Sequence, residues 1–290
     1  MICNICPRRC SADRQKQPGF CSSPENFKLA RAALHYWEEP CISATQGSGT
    51  VFFSGCNLRC VYCQNFEISH NNKGIEIGVD KLIEIFEDLI AQGANNINLV
   101  NPTHYTRQLA AVLSKWKSPV PVVYNTSGYD SVEGLKLLDG LVDIYLTDFK
   151  YIRPEKALRY SRAQDYPLVV RRALDEMKRQ QGEDVFDDRG LMRKGVIIRH
   201  LILPSNTNSA IEILDYLNDT YNQPYISLMA QYTPCTDLCD YKEIDRTLTR
   251  REYEKVINYA LSLDNPNIFV QDLTSSSKKY IPEFDFTGIL

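Results

Sequence analysis

Residues 50–65 read TVFFSGCNLRCVYCQN. The first four are β-branched or aromatic, as in a strand, and Gly55 breaks the run just before Cys56, Cys60 and Cys63. The stretch predicts a strand that runs straight into a loop rich in thiols. Working outward, the same rhythm recurs, with further strands predicted at residues 96–100, 120–125, 143–146, 196–201, 225–229 and 268–271. Between them lie helical patterns. Val79, Leu82, Ile83, Phe86, Leu89 and Ile90 fall three and four apart and end at Gly93, where a left-handed cap fits. Thr249 and Glu252 form a capping box that opens a helix running to about residue 263, with Tyr253, Val256, Ile257 and Ala260 on its apolar side. Residues 166–181 read as helix, and the polar, glycine-bounded stretch 182–195 reads as an exposed loop or hairpin.

Strands alternating with helices are the signature of βα units and a parallel sheet. Six units and a final strand fall short of the eight that close a TIM barrel. The predicted fold is therefore α/β, a partial (β/α)6-type barrel over residues 49–290, with a small Cys-rich, metal-binding extension over residues 1–48. Right-handed crossovers place every strand-to-helix loop on one rim, where side chains from separate units converge. Polar residues follow the strands at Asn101, Thr103 and His104, at Asn125, Thr126 and Ser127, at Asp148 and Lys150, at His200, at Gln231 and Tyr232, and at Gln271 and Asp272.

The chain is 290 residues long, 43% hydrophobic and 24% charged, with a net charge of -3, and it offers no broad basic face. That argues against nucleic acid as the partner. The opening MICNICPRRC lacks the apolar core of a signal peptide, and no apolar run is long enough to span a membrane. A cytoplasmic protein is expected. In that compartment ten cysteines point to metal ligation or redox chemistry rather than disulfides.

Three thiolates in one short loop suit an iron–sulfur cluster and leave one iron without a protein ligand, free to hold a substrate or cofactor. Zinc held by these three with Cys41 is the alternative. Cys3, Cys6, Cys10 and Cys21 form a second set of four, which reads as a closed structural centre, zinc or a second iron–sulfur cluster. Such a centre would let this apolar-poor segment fold against the barrel. Cys41, Cys235 and Cys239 carry no assignment.

The Cys-x3-Cys-x-Tyr-Cys pattern of Cys56, Cys60, Tyr62 and Cys63 resembles the signature of the radical S-adenosylmethionine (SAM) superfamily. The opening CxxCPRxC, the segments NLVNPTHY and VIIRHLILP, the Asp148-x-Lys150 pair, and the QYTP and LTRREYE stretches are similar to the branch described as pyruvate formate-lyase activating enzyme-like. The resemblance implies an enzyme in which a reduced [4Fe-4S] cluster on Cys56, Cys60 and Cys63 cleaves SAM to a 5′-deoxyadenosyl radical that abstracts hydrogen. It further implies that Asn101 or Thr103 meets the SAM amino group where relatives carry Gly-Gly-Glu. By the same resemblance Asn125 and Thr126 contact its carboxylate and ribose, and Arg199 holds SAM. Asp148 and Lys150 are implied as the catalytic pair near SAM and the substrate. The implied target is a glycine on a glycyl radical enzyme, with a flavodoxin- or ferredoxin-type reductant. Two alternatives stand beside it: radical modification of a peptide or small molecule, and a zinc-organised binding protein without catalysis. His104 and His200 read as hydrogen-bonded rim histidines.

Overall fold

The computed structural model describes residues 2–275 and 281–290. A short hairpin of β1 (Ile2–Cys3) and β2 (Ala12–Asp13) leads to β3 (Phe27–His35), α1 (Pro40–Ser43) and β4 (Ser48–Phe53). Next come α2 (Phe66–Ser69), β5 (Ile75–Ile77), α3 (Val79–Ala91), β6 (Ile97–Val100), α4 (Thr106–Leu113), β7 (Val122–Thr126), α5 (Val132–Lys136) and β8 (Ile144–Asp148). The chain continues through α6 (Pro154–Ser161), α7 (Tyr166–Gln181), β9 (Val185–Phe186), β10 (Met192–Leu201), α8 (Thr207–Thr220), β11 (Tyr225–Met229), α9 (Arg250–Ser262) and β12 (Ile268–Val270).

The large sheet runs β12-β11-β10-β8-β7-β6-β4-β3-β5, with β4 and β6 through β12 along this path all parallel. Every predicted parallel strand is present, and the sheet stays open between β12 and the β3–β5 edge, so a partial barrel is what forms. Local signals act as read. Gly93 takes a φ of +93° after α3, and the Thr249–Glu252 capping box is complete at the start of α9. The stretch 182–195 forms a hairpin in which β9 pairs with the first residues of β10.

One boundary moves. The sheet does not begin at residue 49, because β3 pairs antiparallel with β4 on one side and, through its first residues, with β5 on the other. The extension and the barrel therefore share a sheet. The stretch 27–35 escaped prediction because its alternation is broken by a β-bulge between Leu29 and Arg31 and padded with alanines.

Side chains alternate along the strands as the pleat requires. Leu99, Tyr124, Tyr145, Ile198 and Leu228 face the helices and join the main core. Their neighbours Val123, Leu146 and Ile197 point inward, where they meet Cys41 and Ile42 of α1. This short helix lies across the N-terminal ends of the strands as a floor, tied there by Asn95 Nδ2 to Ser43 O (2.8 Å) and Asn96 Nδ2 to Ile42 O (2.8 Å). The C-terminal residues close part of the open seam. Phe286 N donates to Ala30 O, Ala32 N donates to Thr287 O, and Phe284 packs on Phe52, Ile68 and Val100. Among the described residues no helix is long and apolar enough to cross a membrane.

Candidate functional site

After β4 the chain turns at Gly55, whose φ is +87°. A Cβ there would collide with the Ser23 hydroxyl and the Cys21 carbonyl, so glycine is what lets the N-terminal segment lie against this loop. Cys56 N donates to Cys21 O at 3.1 Å. Arg8 grips the loop from another side. Its guanidinium donates to the carbonyls of Asn57 (2.8 Å) and Leu58 (3.4 Å), and also to those of Ser161 (2.9 Å) and Arg162 (2.6 Å).

The loop's three thiols converge. Cys56 and Cys60 are buried and Cys63 is half-buried. Burial pushes the Cys56 thiol up and the Cys63 thiol up to about 12, and proximity to the other loop cysteines adds to both shifts. Donors aim at the sulfurs: Leu58 N and Arg59 N at Cys56 Sγ (3.3 and 3.4 Å), and Ser161 Oγ at Cys60 Sγ (3.1 Å). Such donors suit a thiolate better than a thiol. Among the described residues no three His, Cys, Asp or Glu side chains are gathered as ligands of a single metal ion. A multi-iron cluster places its thiolates on separate irons and asks for a wider set.

The three thiols open on a cavity of about 220 Å³. Asn101, Asn125, Thr126 and Ser127, from the ends of β6 and β7, form its next wall. Asp148, Lys150 and Arg199 line its depth, and Gln231 and Tyr232 follow from β11. Thr103 stands behind this wall, within 3.2 Å of Thr126 Oγ1, and His104, His200, Gln271 and Asp272 are outside the lining.

Several predicted residues are already engaged by protein. Asn101, at a φ of +58°, donates from Nδ2 to Gly55 O (2.6 Å) and lies 3.6 Å from Cys56 Sγ through Oδ1. Thr126 Oγ1 donates to Asp130 Oδ2 at 2.5 Å. Asp148 bridges two cations, with Lys150 Nζ at 2.6 Å and Arg199 Nε at 2.9 Å. Arg199 also meets Glu38 Oε2 at 3.3 Å and donates to Asn125 Oδ1 at 2.6 Å. Its carboxylate partners here are protein acids. Burial alone would raise the Asp148 carboxyl, but Arg199 and Lys150 outweigh it and hold the group below its ordinary value.

His104 and His200 behave as braces. One ring nitrogen of each meets a loop carbonyl, Ser54 O at 2.8 Å and Phe149 O at 2.7 Å. Burial lowers them to about 3 and about 4, so both are neutral. Cys41 is buried in the apolar floor among Val123, Leu146 and Ile197, whereas Cys235 lines the cavity and Cys239 is exposed. Of the N-terminal four, Cys6 and Cys21 are buried, Cys3 is half-buried and Cys10 is exposed. Burial pushes the Cys6 thiol up to about 12, and Cys21, Cys3 and Cys10 each add to it.

One functional candidate, and the buried acid beside it, escaped sequence reasoning. Glu38 lines the cavity floor and accepts from Asn98 Nδ2 (3.2 Å) and Asn125 Nδ2 (3.3 Å). Glu39 is 8% exposed, and its Oε2 has no hydrogen-bond partner among the described residues. Burial raises both carboxyls, against the pull of Arg199.

The sequence profile described as the radical SAM superfamily matches residues 50–217. The chain belongs to the radical SAM superfamily. With membership come its enzymatic character and its two cofactors, a [4Fe-4S] cluster and SAM. The matched span starts on β4 and takes in the three-thiol loop and the strand ends through Arg199. A relative in Methanocaldococcus jannaschii, uncharacterized protein MJ0674, is 32% identical over 268 residues, covering 89% of this chain and 74% of that protein. Among solved structures, the [FeFe]-hydrogenase maturase HydG is similar in fold, with a TM-score of 0.52 and 13% identity over 80% of this chain and 53% of that one. Methylornithine synthase (PylB) gives a TM-score of 0.49 and 14% identity, over 74% of this chain and 60% of that one. The chain thus covers between half and two thirds of these two solved chains.

Proposed function

We propose that Cys56, Cys60 and Cys63 hold the [4Fe-4S] cluster of this radical SAM enzyme, and that SAM binds in the adjoining cavity above Asp148, Lys150 and Arg199. The observation that carries this reading is the convergence of three thiols from one loop on a cavity walled by successive strand ends, with donors already aimed at two of the sulfurs. When bound, cluster and SAM supply an organic radical that removes a hydrogen atom from the substrate. The chain's own residues do the rest. Tyr62, edge-on to Tyr232 at 6.0 Å, seals the loop side against water. Arg199 and Lys150 offer positive charge to a carboxylate, and Asp148 and Glu38 hold both cations in place until one arrives. The four N-terminal thiols are kept as a closed centre, zinc or a second cluster, on their spacing in the sequence, although among the described residues no three of them are gathered around a single ion, and the reductant is taken to be of the flavodoxin or ferredoxin type.

Anaerobic purification with iron, sulfide and zinc analysis, followed by reduction with SAM, tests this. About four irons, or about eight with a second cluster, and release of 5′-deoxyadenosine are expected. A colourless, iron-free protein after reconstitution overturns it.

Two targets divide the finer reading. Activation of a glycyl radical enzyme draws support from the Asp148-x-Lys150 pair, which sits in the cavity rather than on the surface. A small molecule or flexible peptide is favoured by the seam, where Phe284, Ile281 and Pro282 stand in the path of a bulky loop. Deuterium transfer separates them: label reaching 5′-deoxyadenosine from a deuterated protein fraction supports the first, and from a small-molecule or peptide fraction the second.

A further inference from the structure

We propose that three buried hydroxyls, those of Tyr62, Tyr151 and Ser161, form a chain that ends on the Cys60 sulfur and sets the reduction potential of the centre it ligates. This rests on Cys60 being a cluster ligand. Ser161 Oγ lies 3.1 Å from Cys60 Sγ, Tyr151 Oη lies 2.7 Å from Ser161 Oγ, and Tyr62 Oη lies 2.8 Å from Tyr151 Oη. All three residues are buried, so water does not compete for their hydrogen bonds.

A hydroxyl carries one proton, and each gap in the chain takes one. A Cys60 thiol brings a fourth proton to three gaps and allows several orders, whereas a thiolate leaves three protons for three gaps and allows one. In one order open to the thiol, S–H donates to Ser161, Ser161 to Tyr151 and Tyr151 to Tyr62, and the Tyr62 proton needs an acceptor beyond the chain. With Cys60 as a thiolate, all three hydroxyl protons point toward sulfur, which turns the Tyr151 proton, directed at Tyr62 in this structure, back onto Ser161 and makes Tyr62 the donor to Tyr151. Metal ligation requires the thiolate and so selects that single order. The sulfur then receives a hydrogen bond from a donor polarised by two more behind it. Hydrogen bonds to the sulfurs help set a cluster's potential, and one that stabilises negative charge favours the reduced form.

The placement is specified by the fold. Ser161 is the last residue of α6, and Arg162 after it turns left-handed at a φ of 50°. Arg8 ties the carbonyls of both residues to those of Asn57 and Leu58 in the cysteine loop, which holds Ser161 against Cys60. Cys56 differs, since its donors are backbone N–H groups that most residue types would supply. At Cys60 the donor is a matter of side-chain identity.

The test is a redox titration of the reconstituted full-length enzyme, followed by electron paramagnetic resonance of the reduced cluster. Ser161→Ala is expected to lower the reduced-to-oxidised ratio at a fixed potential about tenfold, equivalent to about 59 mV for a one-electron couple. Tyr151→Phe, which removes one oxygen and no other heavy atom, should shift it the same way by less. Ser161→Thr, which keeps the hydroxyl, should restore it. Native cluster content with an unchanged potential in both Ser161→Ala and Tyr151→Phe overturns the proposal. Absence of a cluster from the native protein would instead overturn the ligand assignment beneath it.

Discussion

Glu39 occupies a position that water would normally contest: a carboxylate almost wholly buried, with one oxygen unpartnered among the described residues. Its folded-state value is raised, so the unfolded chain gives up this proton first and the group costs stability as pH rises above its ordinary 4.5. Glu39→Gln should therefore match the parent at acid pH and become the more stable of the two as pH climbs past that value, measured by urea unfolding across pH. Asp148 has the opposite sign. Its folded value is depressed, so its contribution is present above the unfolded value of about 3.9 and is lost as pH falls through the folded value. Asp148→Asn leaves two buried cations short of a counter-charge and should cost about 3–5 kcal/mol in the same measurement. The second acid partner of Arg199 was not legible in the sequence. Glu38-Glu39-Pro40 has the composition of a solvated turn, and it becomes interior only because α1 folds under the barrel.

At the level of elements, what could be read was what short-range chemistry decides. The parallel strands announce themselves because both faces are covered and the runs are β-branched, and α9 because Thr249 and Glu252 satisfy each other's backbone groups. Thr249→Ala should remove about 1 kcal/mol from the unfolding free energy, with the cavity unchanged. β3 is different, since it is specified by partners on both sides rather than by its own pattern. Ser161 and Arg8 were unreadable for the same reason. Each looks like a surface residue until α6 and the cysteine loop are brought together.

For the whole molecule the open seam is the controlling feature. A partial barrel gives its cavity a side entrance, and the last residues of the described chain partly fill it. Gly288 lies at a φ of +73° where a Cβ would collide with Ala32 O, and Ile289 is buried in the main core. Arg31 Nη1 meets Asp285 Oδ1 at 2.7 Å. Phe284→Ala should loosen this wall while leaving the barrel intact. In metal-free protein, alkylation of Cys235 should then accelerate about tenfold relative to exposed Cys239, read by peptide mass spectrometry. An unchanged ratio would show that the wall does not limit entry.

The hydrogen bond from Cys56 N to Cys21 O joins the loop of the barrel to the segment holding the first four cysteines. An amide so held trades its proton for solvent deuterium only when the segment lifts away. The Cys56 amide is thus a built-in clock. Its exchange rate, followed with and without added zinc, would time how often the N-terminal extension and the barrel loop let go of each other.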